Sequence, residues 1–133
     1  KELQTSRKRS IYLPTLREEG RNSLLDVFDF PDASASMGER NTTNLPSQAL
    51  FLMNSPFVIK QSELAAKRIL SEGVEMTNEE KLLRTALLVY GRVLTKEEQS
   101  LFLSQLSSSE DSQKAWQTIF HAMFCSVDFR FLN

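Results

Sequence analysis

Arg40-Asn41-Thr42-Thr43-Asn44-Leu45-Pro46-Ser47-Gln48-Ala49-Leu50-Phe51-Leu52-Met53-Asn54-Ser55-Pro56-Phe57 is the stretch on which the fold turns. Two prolines bracket an apolar run, and polar side chains crowd both of its ends. Proline fixes φ and has no N–H to give, so it suits the first turn of a helix. Ser55 is placed to cap a helix that starts at Pro56. The stretch therefore predicts a short helix over about 46–53, a break at Asn54-Ser55, and a second helix from Pro56. Ala49-Leu50-Phe51-Leu52-Met53 is apolar on every side of a helix, which predicts burial all round. A helix end enclosed in this way needs partners for its unpaired backbone groups. Asn41, Thr42, Thr43, Asn44, Gln48 and Asn54 are the side chains at hand to supply them, and Arg40 would engage carbonyls or an anion.

Downstream the pattern is helical throughout. From Pro56 to about Ser71, Phe57, Val58, Leu64, Ala65 and Ile69 recur at three-to-four spacing, and Gly73 is placed to end that helix. Thr77-Asn78-Glu79-Glu80 is a capping box opening onto Leu82, Leu83, Ala86, Leu87 and Tyr90, with Gly91 as the stop. Thr95-Lys96-Glu97-Glu98 is a second box, leading into Leu101, Phe102 and Leu106. The first-turn position and the capping role account for both Glu pairs. Ser107-Ser108-Ser109-Glu110-Asp111 is a polar hinge capping a last helix, whose broad apolar face is Ala115, Trp116, Ile119, Phe120, Met123 and Phe124. Trp116 reads as a core anchor with its N–H satisfied. The tail Phe129-Arg130-Phe131-Leu132 is expected to tuck its rings onto the bundle.

Upstream, residues 1–10 are polar and read as a linker or frayed segment, leaving 11–133 as a single helical domain. Ser10-Ile11-Tyr12-Leu13-Pro14-Thr15-Leu16 suits an extended segment lying on the core. Asn22 or Ser23 would cap a short helix ending near Phe28, and Pro31 turns the chain before a surface loop over 33–39. The fold class is all-α: a small bundle of about four main helices plus short ones, crossed by an extended N-terminal segment. A length of 133 residues with 41% hydrophobic and 25% charged content suffices for one core.

Composition also narrows the chemistry. A net charge of -1 supplies no field for nucleic acid, and Arg7-Lys8-Arg9 reads as a solvated or ion-paired cluster. No apolar run nears the roughly 18 residues of a spanning helix, so no membrane insertion is expected. One cysteine, Cys125, cannot build the Cys-x-x-Cys-His of a haem c attachment, and one histidine, His121, cannot anchor an ordinary zinc site. No Gly-x-Ser-x-Gly elbow and no glycine-rich phosphate loop occur. His121 reads as a packed or surface side chain beside the last apolar face. Asp29 and Asp32 read as salt-bridge partners for Arg9 or Arg40. No catalytic constellation is recognised, and no cofactor is expected in this domain. The structural or ligand site to examine is thus Arg40, Asn41, Thr42, Thr43, Gln48, Asn54, Asp29 and Asp32, with Arg40, Thr43 and Gln48 converging on an anion or small ligand if a pocket forms there. Asn41-Thr42-Thr43 also fits the N-glycosylation pattern, which matches often by chance.

The segments Arg9-Ser10-Ile11-Tyr12, Phe28-Asp29-Phe30-Pro31-Asp32, Arg40-Asn41-Thr42-Thr43 with Pro46, Gln48-Ala49-Leu50 and Asn54-Ser55-Pro56-Phe57 occur in the order of a known family. So do Tyr90-Gly91-Arg92 with Thr95 and Glu98, and Ala122-Met123-Phe124 with Ser126 and Phe129. On these residues the chain resembles the planctomycete-type domain of unknown function that ends larger proteins carrying cytochrome c-like domains. Leu94 stands where such proteins often have proline, and Asp128 where glutamate is common. The resemblance brings no catalytic residues. It implies an extracytoplasmic, periplasmic or secreted, multidomain setting, with the upstream domains of the same polypeptide as partners and a haem c domain among them. It also suits a chain that begins with Lys1, expected here to be a piece of a longer protein.

Overall fold

The computed structural model describes residues 27–28 and 46–130, and contacts divide the chain into two units, Lys1–Phe51 and Leu52–Asn133. The described residues form six helices and no strands: α1 Pro46–Asn54, α2 Pro56–Glu72, α3 Asn78–Val89, α4 Lys96–Ser108, α5 Ser112–Cys125 and α6 Val127–Arg130. The all-α expectation therefore holds for them. In the first unit the Phe28 ring meets Phe51 edge-on at 6.1 Å and 89°. Val27 and Phe28 are all that is described of the short helix expected before Pro31. The extended segment at 10–16 and the loop at 33–39 lie outside the described residues.

The break between α1 and α2 forms where the two prolines place it. Ser55 is extended (φ -68°, ψ 120°) and sits at the N-cap of α2, although its side chain makes no capping hydrogen bond there. Its carbonyl receives the Ile59 N–H at 3.0 Å. Enclosure of α1 on all sides is corrected by the structure. Leu50 and Met53 are 59% and 55% exposed, while Gln48 and Leu52, one turn apart, are buried. Five consecutive residues span more than one helical turn, so a helix packed on one side leaves part of the run outside.

In the second unit α2 and α5 make the most extensive helix pairing. The inner face of α2 is Val58, Ser62, Ala66 and Ile69. Leu64, expected inside, is 46% exposed because it lies across the helix from Ala66. Ser62 is tolerated in the interior because its hydroxyl donates to the Val58 carbonyl one turn back at 2.9 Å. From α5 come Ala115, Trp116, Ile119, Phe120 and Met123, all buried as expected. Each large apolar side chain buried in full contributes roughly 1.5–3 kcal/mol. Trp116, Phe120 and Phe124 continue as a ladder of rings at 6.3 and 6.0 Å, and Phe129 adds a fourth at 5.0 Å.

Both capping boxes form. Thr77 Oγ1 accepts from the Glu80 N–H and Glu80 returns the bond to the Thr77 N–H; Thr95 and Glu98 do the same. Asp111 caps α5 by accepting from the Lys114 N–H at 3.1 Å. Gly91 stands just past α3 with φ 68°, the left-handed stop that glycine permits without strain. Gly73 ends α2 for another reason. Its φ is an ordinary -104°, but an added Cβ would lie 2.8 Å from the Ile69 carbonyl oxygen.

Two expected stripes hold in part. On α3 the buried positions are Leu82, Thr85 and Ala86, while Leu83 and Leu87 face out. On α4 no residue is fully buried; Phe102, Leu103 and Leu106 pack against the core and Leu101 is exposed. The satisfied Trp116 N–H is also corrected. Trp116 is wholly buried, yet its Nε1 has no hydrogen-bond partner among the described residues, and neither has the hydroxyl of buried Thr85.

Candidate functional site

Of the site expected around the proline-bracketed stretch, two residues are described. Gln48 is buried in the first turn of α1, and Asn54 is exposed at its last residue. Arg40, Asn41, Thr42, Thr43, Asp29 and Asp32 lie outside the described residues. Close to that helix end, His121 of α5 meets the Leu52 carbonyl through Nε2 at 3.3 Å. That carbonyl belongs to the last turn of α1, where helical acceptors have no partner of their own. The side chain expected to be packed or on the surface is half-buried and ties α5 to the end of α1.

The densest polar cluster among the described residues is built instead on Arg92. The Tyr90 N–H bonds the Ala86 carbonyl at 2.8 Å and ends α3; Gly91 then reverses the chain and delivers Arg92 beside the start of α4. There the guanidinium binds Glu98 in a two-pronged pair, with Nη1 to Oε2 and Nη2 to Oε1 both at 2.9 Å. Nη1 also donates to the Val93 carbonyl at 2.9 Å. Nη2 donates to Asp128 on α6 as well. The cation stands 5.1 Å from the centre of the Tyr90 ring, within range of the ring's negative face. One side chain thus ties the α3–α4 turn, the first turn of α4 and the C-terminal α6 together.

The electrostatics follow from these contacts. The Arg92 hydrogen bonds, with help from the Thr95 N–H, hold the Glu98 carboxyl down at about 2. Glu98 first and Asp128 second push the Arg92 guanidinium still further from losing its proton. Burial raises the Tyr90 phenol, and the neighbouring Ser126 hydroxyl pulls the other way. Burial likewise raises the Cys125 thiol, so the cysteine is less of a thiolate than an exposed one would be. The side chains of Arg92, Glu98 and Asp128 remain 39%, 32% and 33% exposed, so the ion pairs work against water rather than in a dry interior. The arrangement is suited to locking backbone geometry.

Glu98 does more than capping assigns to it. Its Oε2 accepts from both Thr95 N and Arg92 Nη1, which makes it at once a helix cap and half of a charge pair. The readable sign was the spacing: an arginine directly after the helix-ending glycine, with the second capping glutamate six residues on. The other partner of Arg92, Asp128, lies 36 residues from it along the chain, beyond any local pattern. No group of three or more histidine, cysteine or carboxylate side chains able to hold a metal occurs among the described residues. None of the helices searched among them is long and apolar enough to cross a membrane.

A family of proteins of unknown function, DUF1553 (PSD1), matches residues 1–106 of the 133. The chain belongs to that family. The DUF1553 match covers the proline-bracketed stretch, both capping boxes and the Arg92–Glu98 pair, and stops before α5 and Asp128. Neither a curated protein nor a solved structure matches the chain.

Proposed function

We propose that this DUF1553 domain is a non-catalytic interaction or scaffolding module. In this reading it sits in a larger exported, planctomycete-type protein and packs on upstream domains of its own polypeptide, a haem c domain among them. It carries no cofactor itself. The observation behind the reading is the outer side of α3. Leu83, Leu87 and Leu88 are 48%, 50% and 70% exposed on a helix that also gives Leu82 and Ala86 to the core. Apolar side chains gathered on one exposed element are a mark of association surfaces. The resemblance to C-terminal domains of cytochrome c-linked proteins supplies the partner.

Side-chain footprinting of the 133-residue chain beside the longer polypeptide tests this. Leu83, Leu87 and Leu88 should lose labelling in the longer protein, and Leu87→Glu should restore it without lowering the domain's melting temperature. Equal labelling in both would overturn the reading. An anion or small-ligand site around Arg40, Thr43 and Gln48, enzymatic or not, is the alternative. It would gain if Arg40→Ala left thermal stability intact while abolishing a measured anion affinity.

A further inference from the structure

We draw no further inference here: the strongest candidate, the Tyr90, Arg92, Glu98, Ser126 and Asp128 side-chain cluster where the α3–α4 turn meets α6, belongs to the site already described, and its charged groups engage one another rather than an outside ligand.

Discussion

Thr85 places a hydroxyl where no part of it reaches water and nothing among the described residues pairs with it. Enclosing an unmatched hydroxyl costs about 1–3 kcal/mol, and valine keeps the branched shape while removing the polar atom. Thr85→Val should therefore raise stability by about 1 kcal/mol in urea titration, with the m-value unchanged. Trp116 poses a different problem, because its ring fills the centre of the core despite the unmatched N–H. Trp116→Ala should cost about 3–5 kcal/mol, from the lost burial of the ring together with the cavity left behind. Glu98 gives a pH prediction whose sign is fixed. Its carboxyl falls from 4.5 to about 2 on folding, so its contribution is whole above 4.5 and fades as the pH drops toward 2. Glu98→Gln should flatten the stability-against-pH curve in that window and leave the slope near neutrality alone. If wild type and variant lose stability in parallel between 4.5 and 2, the Arg92 pair contributes nothing.

Two helices of this chain start with the same device, which allows a controlled comparison. Thr77→Ala and Thr95→Ala each remove one capping acceptor and should each cost about 1 kcal/mol. The glutamates should not behave alike, because Glu80 only caps whereas Glu98 also holds Arg92. Glu98→Ala should cost more than Glu80→Ala by thermal melt, and the excess should shrink when Arg92 is already alanine. The helix ends were legible in the sequence because caps, prolines and glycines act within a few residues. Ser55-Pro56, Thr77-Glu80, Thr95-Glu98 and Gly91 all sit where local chemistry puts them. Which side of each helix turns inward was harder. Leu64, Leu83, Leu87 and Leu101 are as apolar as the residues chosen instead, and helix spacing alone ranks them equally. Packing favoured the small Ala66 and Ala86 at the centre, with Ser62 admitted because its own helix satisfies it. The Arg92 cluster was half legible: Arg92 and Glu98 stand close in the chain, whereas Asp128 becomes a partner only once α5 has brought α6 back. Of the expected site, the structure describes Gln48 and Asn54 alone.

At the scale of the whole molecule, the family match and the folded unit end in different places. Residues 1–106 carry the match, but Trp116, Ile119, Phe120 and Met123 of the core all come later. A chain cut after Leu106 should lose its cooperative thermal transition and become sensitive to protease, although α2, α3 and α4 keep their caps and prolines. The pairing of α2 with α5 has a consequence in time as well as in space. The two helices are separated by the whole of α3 and α4, so their contact closes a long stretch of chain before it returns any burial. During synthesis α2, α3 and α4 leave the ribosome with their inner faces still bare, and the tryptophan that seals them follows only with α5. This folded unit is consequently most at risk of sticking to its neighbours in the interval before α5 emerges.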